Sequence, residues 1–177
     1  MSQFEKQLAV GKVGESEIAE WLKRKGHHIL PVYEIEKGQY AGPAVYTSSG
    51  GNLIAPDMLC FGKGRTTWVE AKHKEAFTFY RIGQCWNTGI DIHHFEQYKQ
   101  IDALCEWDVW LLFLHKGGQA KDSMPSPAGL FGGPLRRLKD SYCHMSDRHA
   151  KGMIYWRPQL AIGDGGHLIK LADYPLA

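Results

Sequence analysis

The sequence predicts an α/β domain in which a mixed central β-sheet is flanked by two helices. Residues 4–25 and 91–106 repeat apolar side chains every three or four positions, which is typical of helices packed on a core. A hairpin pattern at residues 56–74 and a continuous apolar run at 109–115 favour strands. The 177 residues are enough for a single domain with a substantial core.

Composition limits the class of protein. Hydrophobic residues make up 44% and charged residues 23% of the chain, as in a folded globular protein. The sequence contains no apolar run of membrane-spanning length and no signal-peptide pattern, so we expect a cytoplasmic protein with no membrane partner. The formal net charge of +2 is low for a protein that coats DNA, although a local basic face would still bind nucleic acid.

The four cysteines are scattered along the chain at Cys60, Cys85, Cys105 and Cys143. None belongs to a Cys-x-x-Cys pair, so we expect reduced, partly buried thiols. A zinc site that joins Cys143 and His144 to another cysteine is the alternative, but the paired ligand spacing of zinc sites is missing.

The first predicted helix, residues 4–25, ends at Gly26 after a basic last turn. Glu15 interrupts its apolar stripe, where a core residue is expected. Either Glu15 pairs locally, or it points at a functional site shared with later residues. Gly14 would let a strand or a phosphate backbone approach the helix closely there. The stripe consists of Phe4, Leu8, Gly11, Ile18 and Leu22.

Residues 27–36 predict the first strand, and Pro31 places it at a sheet edge or a bulge. Residues 37–52 predict a loop rich in Gly, Ser and Pro. This loop lacks the Gly-Lys-Ser/Thr of a phosphate-binding loop, which argues against an NTPase.

The hairpin at residues 56–74 carries charged residues in the middle of its second strand. Side chains alternate between the two faces of a strand, so Glu70 and Lys72 share one face, while Asp57 stands at the mouth of the first strand. Converging carboxylates suit Mg²⁺ or Mn²⁺, and a lysine beside them could hold a nucleophilic water. The alternative is an ordinary surface ion pair between Glu70 and Lys72.

At these residues the chain resembles the PD-(D/E)xK nuclease superfamily. Pro56-Asp57 and Glu70-Ala71-Lys72 match its signature, and Gly14-Glu15 matches a glutamate that some members carry on the first helix. The resemblance implies a restriction-endonuclease-like core in the order αβββαβ. It covers about residues 4–115, so the chain divides into a core at 1–116 and a family-specific extension at 117–177.

The resemblance also implies roles for the site residues. Asp57, Glu70 and Glu15 would hold Mg²⁺ or Mn²⁺, with the Ala71 carbonyl as a further ligand. Lys72 would orient the attacking water and help to deprotonate it.

Two segments after the hairpin suggest a nucleic-acid surface. Residues 73–88 interleave basic and aromatic side chains, and Lys74 and Arg81 are the candidates for phosphate contact. On the second helix, residues 91–106, His94 and Gln97 share a polar flank. In several branches of the superfamily a polar residue of this helix reaches the active site, and Gln97 could be that residue.

The last third of the chain carries weaker signals. Residues 117–134 predict a loop, 135–145 a short basic helix, and 152–162 a further strand that Pro158 places at an edge.

The function that these residues and the resemblance together imply is Mg²⁺-dependent hydrolysis of DNA phosphodiesters. Within that class the chain resembles small phage and prophage nucleases, including junction resolvases. Resolution of a junction would require a homodimer, because two active sites must then be placed symmetrically. The alternatives are a non-catalytic nucleic-acid-binding or assembly protein with the same fold, and a metal enzyme acting on small phosphates.

Overall fold

A computed structural model describes residues 3–32, 44–119, 124–147 and 151–177, with only the backbone described for residues 3–12. The elements are, in chain order, α1 (Gln3–Arg24), β1 (His28–Pro31), β2 (Ala44–Tyr46), β3 (Asn52–Ile54), β4 (Met58–Gly62), β5 (Arg65–Lys74), β6 (Thr78–Tyr80), β7 (Cys85–Asp91), α2 (Ile92–Leu104), β8 (Asp108–His115), β9 (Gly129–Pro134), α3 (Leu135–Leu138), β10 (His144–Ser146), β11 (Met153–Trp156) and β12 (Ile169–Ala172).

The main sheet has six strands in the order β1-β4-β5-β8-β9-β12. The central pair β5 and β8 is parallel, and the other pairs in this sheet are antiparallel. The predicted mixed α/β fold with a multi-stranded central sheet is therefore confirmed. A second sheet has the order β10-β11-β7-β6, and β2 and β3 form a small hairpin of their own.

Two apolar clusters fill the two faces of the main sheet. Ile18 and Leu22 of α1 lie in one cluster with Val69 and Leu112, and the α1 stripe is thus confirmed where side chains are described. Phe4, Leu8 and Gly11 of that stripe lie outside the described side chains. The other cluster gathers the inner face of α2 against the opposite sheet face, with Phe95, Tyr98, Ile101, Leu111, Phe113 and Trp156 among its members.

Several elements agree with the sequence prediction. The hairpin of β4 and β5 turns at residues 62–65, and α2 and β8 lie within one or two residues of the expected bounds. β1 is an edge strand and contains Pro31 opposite Met58, as the proline indicated. The rest of that predicted strand, residues 33–36, and residues 37–43 of the predicted loop lie outside the described part of the chain.

Other expectations are wrong. The order αβββαβ omits β2 within the predicted loop and β3 at its end, as well as β6 and β7 between the hairpin and α2. Residues 129–134, predicted as loop, form β9 inside the main sheet. Glycine and proline suggested a loop, but a side chain at Gly132 would lie 2.6 Å from the Leu111 carbonyl oxygen. The close approach of two strands is what requires glycine here.

The predicted basic helix at residues 135–145 is also shorter than expected. Only Leu135–Leu138 is helical, and His144–Ser146 forms β10. No helix in the described part of the chain is long and apolar enough to cross a membrane. All four cysteines are free thiols, and the Sγ atoms of Cys85 and Cys143 lie 3.7 Å apart.

Candidate active site

The charged face of β5 is the centre of the candidate site. Glu70 and Lys72 form an ion pair in which the glutamate side chain is 2% exposed and the lysine side chain 32% exposed. Neither carboxylate oxygen of Glu70 receives a well-directed hydrogen bond from the described residues. An ionised carboxylate in such a place is costly unless other groups compensate it. The pair is therefore not the solvated surface pair of the alternative interpretation.

Asp57 lies beside this pair because of the hairpin register. Met58 pairs with Val69, so the next step along the strands places Asp57 opposite Glu70. The backbone N–H of Ala71 donates a hydrogen bond to Asp57 Oδ2 at 2.8 Å. Burial raises the pKa of Asp57 well above its ordinary value, and the Glu70 charge raises it further, against the opposing effects of Lys72 and the Ala71 N–H.

Gly14 explains how Glu15 joins these residues. A Cβ atom at Gly14 would lie 2.0 Å from the Cβ atom of His73 on β5, so only glycine lets α1 pass so close to the strand. Of the two partners expected to approach this glycine, a strand or a phosphate backbone, the structure places a strand there. Glu15 is half-buried, and its negative charge acts on both Asp57 and Lys72. The carboxylates predicted from three separate segments are electrostatically coupled in the fold.

Lys72 is held in its charged form. Burial disfavours the ammonium, but the carboxylates of Glu70, Asp57 and Glu15 outweigh it and raise the pKa of Lys72. A lysine surrounded in this way is an electrostatic and hydrogen-bonding group. It becomes a proton acceptor only when a cation or a proton neutralises the carboxylates around it.

Helix α2 supplies the wall over the ion pair. Tyr98 is 1% exposed, and burial together with its contact with Glu70 raises the pKa of the phenol. The ring of His94 lies 6.0 Å from the Tyr98 ring. Burial and the Lys72 charge lower the pKa of His94, so the imidazole is neutral near pH 7.

Tyr98 is the site residue that the sequence prediction missed. It occupies an inner-face position of α2 between apolar neighbours, so periodicity assigns it to the core. The one feature of the sequence that could have indicated a site here is the tyrosine hydroxyl group, because a buried hydroxyl needs a polar partner.

Comparison with known proteins adds a likeness of fold. The chain is similar to a Holliday junction resolvase from the archaeal hyperthermophile Archaeoglobus fulgidus, with a TM-score of 0.46 and 10% sequence identity. The alignment covers 81% of this chain and 86% of the resolvase. No protein-family model and no curated protein matches the chain. At this identity the likeness concerns the arrangement of helices and strands alone.

The other predicted nucleic-acid residues lie in different settings. Lys74 donates a hydrogen bond from Nζ to the Gly89 carbonyl at 2.8 Å, and burial followed by the Lys72 charge lowers its pKa to about 8. Arg81 is exposed in the turn between β6 and β7. Gln97 accepts a hydrogen bond at Oε1 from the Ile54 N–H at 3.3 Å, so it braces β3. Of these three side chains, Arg81 alone is exposed, and the other two are half-buried.

The donor set fits a hard divalent cation. Among the residues that the structure describes, no group of three or more His, Cys, Asp or Glu side chains is arranged to hold a metal ion. Mg²⁺, however, is commonly held by one or two carboxylates, with water and phosphate oxygens completing its shell. The Glu70 oxygens without well-directed hydrogen bonds and the neighbouring Asp57 carboxylate match that requirement.

Proposed function

We propose that this chain is a metal-dependent nuclease of the PD-(D/E)xK type that hydrolyses DNA phosphodiester bonds. The observation that carries the proposal is the buried Glu70 carboxylate, which is paired with Lys72 and stands opposite Asp57. Packing alone gives no reason to bury that charge, because apolar side chains of similar volume would stabilise a core as well or better.

In this proposal Asp57 and Glu70 would hold Mg²⁺ or Mn²⁺, and Glu15 and the Ala71 carbonyl would be further ligands, directly or through water. When bound, such an ion neutralises charge on the scissile phosphate and makes a coordinated water more acidic. The Ala71 N–H fixes the orientation of Asp57 through its hydrogen bond. Tyr98 lies against Glu70 and restricts the orientation of that carboxylate.

Lys72 has two tasks in the reaction. Its ammonium orients the attacking water and offsets the charge that grows on the phosphate in the transition state. A bound cation would offset the carboxylates that raise the pKa of Lys72, so the lysine would release a proton more readily and could assist deprotonation of the water. The neutral imidazole of His94 stands beside the pair as a hydrogen-bonding group for the DNA backbone.

The proposed DNA contacts follow from exposure. Arg81 is exposed and can pair with a phosphate, whereas the Lys74 side chain is half-buried and already donates one hydrogen bond to Gly89. We propose a small nuclease that recognises DNA shape, ends or branches, like the phage and prophage enzymes and junction resolvases that the sequence resembles. Resolution of a four-way junction would add a requirement for a two-fold homodimer.

Cleavage assays test the proposal directly. Supercoiled plasmid, linear duplex and a four-way junction are incubated with Mg²⁺, Mn²⁺ or EDTA, and the substrate that is cut fastest defines the subclass. Cutting should require the metal and should fall at least about 10²-fold in Glu70→Gln and in Lys72→Ala, which is the scale of losing an electrostatic catalytic group.

Lys99→Gln is the matched control, because Lys99 is a lysine of α2 paired with Glu96 on the helix surface. It should cut like the wild type. If the wild type binds DNA but cuts none of the substrates with either metal, the non-catalytic binding function replaces this proposal. Equal cutting by all variants would mean that the site is misassigned.

A further inference from the structure

A second concave site lies on the opposite face of the main sheet from the Glu70 side chain. It is a cavity of about 520 Å³ where α1 ends and β5 begins. Its buried lining is apolar and includes Trp21, Leu22, Val69 and Leu112, with Trp110 at one side. Pockets that hold small ligands fall in this size range and share this apolar lining.

The mouth of this cavity is positively charged. Lys25, Lys63 and Arg65 are exposed there, and none forms an ion pair with a described residue. Arg136 adds a fourth cation, and the one carboxylate in the lining, Asp108, is already paired with it at 2.9 Å. Within the described ranges, three cations around this opening thus have no carboxylate partner.

The surroundings of His27 reflect this excess of positive charge. Burial lowers the pKa of His27, and the nearby Lys63 ammonium lowers it further. The Lys63 side chain lies near Gly26, the residue before this histidine, with its Cε atom 3.4 Å from the position that a Cβ atom at Gly26 would take. An anion at the mouth would relieve the repulsion among these groups.

We propose that this cavity binds a nucleoside phosphate, with the base against the tryptophan-lined floor and the phosphate at the cationic mouth. A phosphate monoester carries about two negative charges near neutral pH, which matches several cations better than the single charge of a fatty acid does. The indole ring of Trp110, which is half-buried, suits a planar base, which gains stacking energy on an aromatic surface. The Lys25 ammonium lies over the ring of Trp21, 5.7 Å from its centroid, so this cation is held at the same opening. This site does not depend on the catalytic proposal.

Binding to the full-length protein is measured by isothermal titration calorimetry in EDTA. The probes are thymidine 5′-monophosphate, thymidine, inorganic phosphate and decanoate. We expect saturable binding of the nucleotide. Binding of thymidine, which lacks the phosphate group, and of inorganic phosphate, which lacks the base, should each be at least about tenfold weaker.

Two variants connect binding to the cavity. Lys63→Gln/Arg65→Gln, which changes exposed side chains only, should weaken nucleotide binding at least about tenfold. Thr67→Trp, which places a bulky side chain in the lining, should weaken it as well. The matched control Lys99→Gln/Lys151→Gln removes the same charge elsewhere on the protein and should bind like the wild type.

A short DNA strand identifies the source of the ligand. If a 5′-phosphorylated trinucleotide binds more tightly than the mononucleotide, the cavity takes a DNA end; if it binds more weakly, the cavity takes a free nucleotide. Lack of saturable nucleotide binding, tighter binding of decanoate, or a loss confined to Lys72→Ala would each overturn the proposal. The last result would place the nucleotide in the candidate active site.

Discussion

The two faces of β5 bury very different residues. Toward α1, Val69 and Ala71 belong to an apolar cluster, and packing accounts for them fully. Toward α2, the same strand places Glu70 and Lys72 under a wall that includes Tyr98. The apolar face stabilises the fold by excluding water. The charged face buries a carboxylate, although apolar side chains would pack there as well or better. The comparison identifies the charged face of β5 as the candidate site, because burial and polarity disagree there.

The largest effect on stability is expected from Lys72→Met. The change leaves the Glu70 carboxylate, 2% exposed, without its partner. Loss of one member of a buried pair costs about 3–5 kcal/mol, and the partial exposure of Lys72 reduces this to about 2–3 kcal/mol. Urea unfolding at neutral pH measures it.

Val69→Ala is the control on the apolar face. It removes methyl groups from the core and should also destabilise, by about 1–2 kcal/mol, but it should leave Mg²⁺ binding intact. A variant at Lys72 that unfolds no more easily than the wild type would mean that water already compensates Glu70.

A smaller loss is expected from Gly14→Ala. The added methyl group would collide with His73, so α1 must move away from β5, at a cost of about 1–3 kcal/mol. Because the shift carries Glu15 with it, metal affinity should fall too. Ser16→Ala, at an exposed position on the same helix, should change neither the unfolding free energy nor metal affinity. A stable Gly14→Ala variant would contradict the described approach of helix and strand.

The pH dependence of the free energy of unfolding should show that the pKa of Asp57 is raised in the fold. Its ordinary pKa is 3.8 and its pKa in the fold is raised, chiefly by burial. The fold therefore prefers the protonated form, and without metal this group makes the protein less stable as pH rises from about 4 through the raised pKa. Asp57→Asn should remove that component of the profile. The check is urea unfolding of both proteins in EDTA across this range, and parallel profiles would show that the pKa of Asp57 is ordinary.

The smallest expected effect is on DNA binding, and it differs between the two predicted phosphate contacts, Arg81 and Lys74. Arg81→Gln should weaken DNA binding and reduce the salt dependence of the affinity by about one unit of slope, because one phosphate contact is lost. Lys74→Gln should reduce that slope less, since its ammonium is hydrogen-bonded to Gly89. Fluorescence anisotropy at several salt concentrations measures both slopes. A larger change from Lys74→Gln would contradict this ranking of the two phosphate contacts.

The part of the fold that the sequence predicts best depends on local periodicity. Helices α1 and α2 and the β4–β5 hairpin could be predicted from their repeats and turn residues, and the alternation along β5 placed Glu70 and Lys72 on one face. Strand β9 could not be predicted in this way, because its glycines serve a close approach to β8 that only the tertiary structure creates.

The same limit applies to the sites. Motif spacing suggested Asp57, Glu70 and Lys72, but the Ala71 hydrogen bond that holds Asp57 depends on strand register. Tyr98 looked like a core residue until the fold placed its hydroxyl against Glu70. The cationic cavity is lined by residues from α1, the hairpin and β8, which are far apart in sequence, so no local sequence pattern predicts it.

The most direct test of the central claim is the shift that Mg²⁺ causes in the free energy of unfolding of wild type and of Glu70→Leu/Lys72→Met. The double change replaces the charged pair with apolar side chains of similar size, so in EDTA it should be as stable as the wild type or more stable. At a Mg²⁺ concentration about tenfold above its Kd, the wild type should gain about 1.4 kcal/mol and the double variant nothing. An equal gain in both proteins would contradict the assignment of the charged face of β5 as the metal site.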